Sequence, residues 1–218
     1  MKSDFIGRRV KAQLCPRAIV GEMMELHKSL PYPKTVVLVG LMGAGKSCVG
    51  RRLAARLGIA FADADKEIEA AAGLTISEIF TKLGESAFRE GERKVMARLL
   101  SGEPMILAAG GGAFLDPETR RLVKTHGVSL WLRADLDLLV KRTAGRDHRP
   151  LLKTGDPREI LGRLIDLRYP IYAQADVIVD SQDLDPDVTV DAVQAALTTH
   201  FAVLDAASGG LTPAVASV

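Results

Sequence analysis

The sequence predicts an α/β fold of three layers, with a five-stranded parallel sheet covered by helices on both faces. Three observations carry that reading. Short, mainly apolar runs recur at 35–39, 61–65, 104–109, 128–132 and 176–180, and they are continuous rather than alternating, as in strands buried on both faces. Segments with helical spacing separate these runs, which is the order of a parallel sheet with crossover helices. The first run leads straight into a glycine-rich stretch and then a helix, and ligands of such sheets bind outside the carboxyl ends of the strands.

Composition sets the outer bounds. The chain has 218 residues and is 47% hydrophobic, enough for one sizeable core. Basic residues number 29 and acidic residues 27, so a nucleic-acid binder working through a broad basic surface is not expected. The two cysteines, Cys15 and Cys48, stand far apart, and the four histidines have no metal-ligand spacing, which argues against a disulfide framework or a zinc site. No stretch approaches the roughly 20 apolar residues of a membrane span. The early basic residues Lys2, Arg8, Arg9 and Lys11 come without a secretory apolar stretch, and Asp4, Glu22 and Glu25 count against a transit peptide. A cytoplasmic protein acting on neither nucleic acid nor membrane is the expectation.

The elements follow in order. Residues 1–33 form an N-terminal extension in which 19–30 can make a short amphipathic helix, stopped by Pro31 and Pro33. After the strand at 35–39, residues 49–57 are good helix formers and Gly58 stops them. The second strand, 61–65, ends in Asp63 and Asp65. Two short helices follow, 66–72 stopped by Gly73 and 76–83 stopped by Gly84, the second capped by Thr75 or Ser77. A longer helix over 85–100 places Phe88, Val95, Met96 and Leu99 on one apolar stripe. The third strand runs into Gly110-Gly111-Gly112, and helices over 117–126 and 135–142 flank the fourth. Residues 143–155 are polar, basic and glycine-containing, the composition of a mobile loop. A helix over 157–168 should end near Tyr169, because Pro170 disfavours helix in its predecessor. A helix over 186–200 closes the domain, taken as residues 34–200, and 201–218 is the C-terminal tail.

The chemistry-bearing residues sit at strand ends. Gly40-Leu41-Met42-Gly43-Ala44-Gly45-Lys46-Ser47 has the spacing G-x-x-x-x-G-K-[ST] between a strand and a helix. Such a loop turns backbone N–H groups toward phosphate oxygens and adds the positive end of the helix that follows. Lys46 can then reach the β- and γ-phosphates, and the Ser47 hydroxyl can ligate Mg²⁺. Strand alternation would put Asp63 and Asp65 on one side, one near Mg²⁺ and one able to deprotonate a hydroxyl; helix capping and surface acidity are the plainer alternative. The triple glycine lets backbone approach a ligand closely, or is a tight turn. Arg89 can fork onto a carboxylate with Glu92 orienting it, or be half of a surface ion pair. Arg142, Arg146 and Arg149 can supply cations to a phosphoryl group or be a solvated charge run, and Arg168 can simply favour its helix dipole.

In sequence order these pieces stop being independent. Asp63-Ala64-Asp65, Gly73-Leu74-Thr75-Ile76-Ser77-Glu78-Ile79-Phe80, Gly84-Glu85-Ser86-Ala87-Phe88-Arg89-Glu90-Gly91-Glu92, Gly110-Gly111-Gly112, Arg149-Pro150-Leu151-Leu152 and Arg168-Tyr169-Pro170-Ile171-Tyr172 follow the phosphate loop. Over about residues 34–200 the chain resembles the shikimate kinases, a branch of the nucleoside-monophosphate-kinase-like P-loop proteins. The resemblance implies a P-loop kinase fold with a substrate-binding helical segment at about 65–100 and a lid at about 143–155. It implies transfer of the ATP γ-phosphate to the 3-hydroxyl of shikimate, in the route to chorismate and the aromatic amino acids, with Mg²⁺ as cofactor and a monomeric enzyme.

The same resemblance assigns roles by position. Gly43, Ala44, Gly45, Lys46, Ser47 and Cys48 would hold the nucleotide, with Arg142 against the adenine and Arg149 over the phosphates. Ser47 would ligate Mg²⁺ and Asp63 would touch it through water. Asp65 would bind the acceptor hydroxyls and act as base; Lys46 and Arg149 complete the catalytic set. Arg89 and Arg168 would grip the shikimate carboxylate, and Gly110, Gly111 and Gly112 would line the ring hydroxyls. Cys48 departs from the family's usual threonine, and Ala108-Ala109 lacks the hydroxyl often found before the triple glycine. A gluconate or nucleoside kinase of this fold and a catalytically silent nucleotide-binding module are the competing readings. A GTPase is disfavoured because no guanine-reading Asn-Lys-x-Asp is present.

Overall fold

Five strands, β1 (Thr35–Val39), β2 (Ala60–Asp63), β3 (Met105–Ala108), β4 (Gly127–Arg133) and β5 (Val177–Asp180), lie parallel in the order β2-β3-β1-β4-β5. This is a computed structural model, and it describes residues 32–144 and 155–207. Every residue of β1 is buried, as its continuous apolar run requires of a central strand. The helices are α1 (Lys46–Leu57), α2 (Ala64–Ala72), α3 (Ile76–Leu100), α4 (Pro117–His126), α5 (Leu136–Thr143), α6 (Pro157–Tyr172) and α7 (Pro186–Ala207), with a 3₁₀ turn at Ala113–Leu115. The expected three-layer arrangement with a five-stranded parallel sheet is what the chain adopts.

Local chemistry sets most boundaries. Gly58 and Gly73 end α1 and α2 in the left-handed region, at φ 67° and 63°. Thr75, rather than Ser77, caps α3: its side chain accepts from the Glu78 N–H, and the Glu78 carboxylate accepts from the Thr75 N–H at 2.9 Å. Gly84 (φ 84°, ψ 170°) kinks α3 and divides it into the two expected helical pieces, which follow one another without a gap. Asp116, Asp135 and Asp156 cap α4, α5 and α6.

Three expectations need correction. The second strand stops at Asp63, not at residue 65, and Asp65 lies in the first turn of α2. The reason is pairing: Asp63 faces Ala108, the last residue of β3, and beyond it β2 has no strand to pair with. Helix α6 does not end near Tyr169 but runs through Pro170 to Tyr172. The carbonyl that Pro170 cannot serve belongs to Asp166, which is exposed to solvent, and burial of Tyr172 favours the extra turn. Finally, α7 passes residue 200 and ends at Ala207, taking in seven residues assigned to the tail. Val193, Leu197 and Phe201 are buried at spacings of four, so its apolar stripe continues past His200.

Candidate active site

The carboxyl ends of β1, β2 and β3 carry, side by side, the glycine-rich loop, Asp63 and the triple glycine. In the loop, Gly40, Gly43 and Gly45 have φ of 137°, 88° and 99°, a region L side chains rarely adopt. The loop therefore curls, and α1 begins at once with Lys46 as its first residue, the Cys48 and Val49 N–H groups donating to the Gly45 carbonyl. The Lys46 ammonium lies across the curl, donating to the carbonyls of Gly40 (2.7 Å) and Leu41 (3.0 Å). The Ser47 hydroxyl donates to Asp63 Oδ2 at 2.6 Å, joining the loop to the end of β2. Ala44 is buried, while Cys48 is exposed in the first turn of α1.

Arg142, at the end of α5, donates through Nη1 to Ser181 Oγ (2.9 Å) and through Nη2 to the Gln182 carbonyl (2.6 Å). A Cβ at Gly45 would lie 3.6 Å from that Nη1, so the guanidinium borders the phosphate loop. Ser181 and Gln182 were not singled out in the sequence. They follow β5 at its carboxyl end, and the strand-end rule is the signal that could have found them.

The second half of the site gathers on the triple glycine. None of Gly110, Gly111 and Gly112 has a positive φ. Gly110 and Gly112 instead leave room for side chains from elsewhere in the chain, and Gly111 lies in ordinary contact with one. A Cβ at Gly110 would sit 2.6 Å from Asp65 Oδ1 and 2.9 Å from Glu92 Oε1; at Gly111, 3.6 Å from Arg168 Nη1; at Gly112, 2.5 Å from Arg89 Nη1. Arg89 pairs with Glu92 (2.8 Å) and Glu85 (3.1 Å), and its guanidinium lies 5.1 Å from the Phe88 ring. Arg168 Nη1 donates to the Gly111 carbonyl at 3.0 Å, and the Tyr172 hydroxyl donates to the same oxygen.

Electrostatics follow from burial. Burial pushes the Glu92 carboxyl above its ordinary value; the Arg89 guanidinium opposes the shift, and the Asp65 and Asp116 carboxylates add to it. Burial likewise pushes the Tyr172 phenol up to about 12, with Arg168 opposing. A carboxylate, two guanidiniums and three glycines thus face one another beside an anion cradle, a layout that can align a small acid bearing hydroxyls with a nucleotide phosphate.

Of the residues predicted from sequence, Gly43, Ala44, Gly45, Lys46, Ser47, Cys48, Asp63, Asp65, Arg89, Gly110, Gly111, Gly112, Arg142 and Arg168 all lie on or beside these strand ends. The corrected detail is Asp65, which comes from the first turn of α2 rather than from strand alternation with Asp63. Arg149, Arg146 and the lid expected at 143–155 fall almost wholly outside the described residues.

An anion-binding loop at one strand end and an acid-and-arginine acceptor site at the next make this a kinase of the P-loop class acting on a small molecule. Comparison with known proteins narrows the class. The family model for shikimate kinase matches residues 42–198. A shikimate kinase of Paramagnetospirillum magneticum is 67% identical over 168 residues, covering 77% of this chain and 86% of that protein. One of Ruegeria pomeroyi is 52% identical over 87% of this chain and 94% of its own length. The solved shikimate kinase of Acinetobacter baumannii in complex with shikimate is 36% identical and superposes with a TM-score of 0.74, covering 80% of this chain and 97% of that one. The chain belongs to the shikimate kinase family.

Proposed function

We propose that the protein transfers the γ-phosphate of ATP to the 3-hydroxyl of shikimate, giving shikimate 3-phosphate and ADP. The observation that carries this reading is the convergence of three charged side chains on three consecutive glycines: Asp65 at Gly110, Arg168 at Gly111 and Arg89 at Gly112. Two guanidiniums suit the carboxylate of a small acid, and a carboxylate beside them suits its hydroxyls. The Acinetobacter relative is described in complex with shikimate.

In the reaction, the acceptor oxygen forms a bond to the γ-phosphorus as the bridging P–O bond to ADP breaks, and the hydroxyl proton passes to the Asp65 carboxylate. The loop amides and Lys46 take the nucleotide phosphates, with Gly43, Ala44, Gly45, Ser47 and Cys48 around them and Arg142 on the nucleoside side. A Mg²⁺ ion fits the Ser47–Asp63 pair. A hydroxyl and one carboxylate suit an ion that keeps waters and phosphate oxygens, and among the described residues no group of three or more acidic, histidine or cysteine side chains forms a metal cage. Bound there, the ion would neutralise charge on the transferring phosphoryl group. We place the enzyme in the cytoplasm as a monomer in the aromatic branch of amino-acid synthesis. No described helix is long and apolar enough to cross a membrane.

The test is ADP release from Mg-ATP, measured with and without shikimate. Turnover that appears only with shikimate, with a phosphorylated product identified by mass, is the expected result. Hydrolysis indifferent to shikimate, or turnover with gluconate or a nucleoside in its place, would overturn the reading.

A further inference from the structure

Tyr172 ends the segment Arg168-Tyr169-Pro170-Ile171-Tyr172, and the function above gives it no task. It is 1% exposed, and its hydroxyl donates to the Gly111 carbonyl, the oxygen that also accepts from Arg168 Nη1. Residues four apart share one helix face, so Arg168 and Tyr172 reach one acceptor only because α6 continues through Pro170. A chain ending its helix near Tyr169 would turn Tyr172 elsewhere.

The ring is held from two sides. Its centroid lies 5.9 Å from that of Trp131 and 6.3 Å from that of Tyr169, and Trp131 and Tyr169 meet edge to face at 4.8 Å. Tyr169 itself donates to the Ala134 carbonyl, away from the triple glycine. Burial keeps the Tyr172 phenol protonated through the working pH range, so it remains a donor.

We propose that Tyr172 is a positioning residue for the acceptor site, fixing the Gly111–Gly112 peptide plane and, through the shared carbonyl, the guanidinium of Arg168. The peptide is planar and trans, so a carbonyl locked toward Tyr172 sends the Gly112 N–H out of the opposite edge of the plane. Glycine flanks impose little torsional preference of their own, so that plane needs an outside anchor. One Arg168 N–H spent on a fixed carbonyl sets the orientation of the rest of its planar fork. The role rests on the reading of Arg168 as a ligand of the shikimate carboxylate. The plain alternative is a tyrosine that only fills the core.

Tyr172→Phe in the full chain separates the two, because it keeps the ring packing and removes only the hydroxyl. The expected result is a KM for shikimate raised about tenfold, the scale of one lost hydrogen bond at a binding site. The KM for ATP should stay within about twofold. In an Arg168→Ala background the same change should raise the shikimate KM by less than it does in the wild type, because one of the two groups it positions is gone. Tyr169→Phe removes a hydroxyl from the same aromatic cluster and should leave the shikimate KM unchanged. Four results would each overturn the proposal: an unaltered shikimate KM in Tyr172→Phe, equal rises in both KM values, an equal rise in Tyr169→Phe, or Tyr172 and Arg168 effects that simply multiply. A wild-type chain that does not turn over shikimate would overturn the function itself, an outcome seen before any variant is made.

Discussion

The two glycine-rich segments of the site look alike in sequence and differ in why they need glycine. In the phosphate loop, Gly40, Gly43 and Gly45 sit at positive φ, so the backbone itself excludes other residues. In the triple glycine no residue does, and what excludes a side chain at Gly110 and Gly112 is the arrival of Asp65, Glu92 and Arg89 from two helices. The first is a conformational requirement written locally. The second is a spatial one, set by residues 18 to 45 positions away in the chain. The nucleotide side is therefore a self-contained loop, whereas the acceptor side is an assembly whose geometry depends on how α2, α3 and α6 meet.

Four measurements sharpen or break that contrast. Asp65→Asn keeps the size of the side chain and removes its basicity, so turnover should fall ~10²–10⁴-fold. ATP affinity should be unaffected, since Asp65 faces the glycines rather than the phosphate loop. A folded variant with near-normal turnover would remove Asp65 from the chemistry.

Arg89→Ala should weaken shikimate by about 1.5–3 kcal/mol, the range for hydrogen bonds to a charged group. A carboxamide analogue provides the check: wild type should discriminate strongly between acid and amide, the variant weakly.

Paired glycine substitutions address the contrast directly. In Gly40→Ala the new Cβ would lie 2.6 Å from the Leu132 carbonyl at a φ of 137°, and backbone cannot step aside. The expected cost is on the order of 1–3 kcal/mol, a fall in Tm of roughly 2–12 °C. In Gly112→Ala the Cβ meets the end of the Arg89 side chain, which can swing away. Stability should change little, while the shikimate KM rises. If both variants lose the same stability, the distinction between conformational and spatial glycines fails.

The smallest effect concerns the start of α3. The Thr75 backbone N–H, the Lys82 ammonium and the Thr75 hydroxyl hold the Glu78 carboxyl down from 4.5 to about 2. A depressed carboxyl contributes stability that is complete above its unfolded value and is lost as pH falls through its folded one. Glu78→Gln should therefore flatten the loss of stability between pH 4.5 and about 2 without changing the shikimate KM at neutral pH. An acid limb identical to wild type would show that this cap is not felt.

Much of the molecule was legible beforehand. Continuous apolar runs announced the strands, buried on both faces at β1, β3 and β4 and partly exposed at the edge strands β2 and β5, and Gly58, Gly73, Gly84 and Thr75 marked helix ends through chemistry that acts within a few residues. The loop from Gly40 to Ser47 was readable for the same reason. Three things were not. Asp65 belongs to a helix because β3 ends at Ala108 and leaves β2 nothing to pair with. Helix α6 crosses Pro170 because burial of Tyr172 outweighs one lost hydrogen bond at an exposed residue. Gly110 and Gly112 are glycines because the side chains of Asp65, Glu92 and Arg89 need the space. By itself the sequence determined what short-range forces decide: strand and helix types, caps, and a phosphate loop with its lysine and serine. Only the tertiary structure decided where elements stop and which distant side chains share one carbonyl or one gap, because pairing, burial and excluded volume act between residues the chain does not place together.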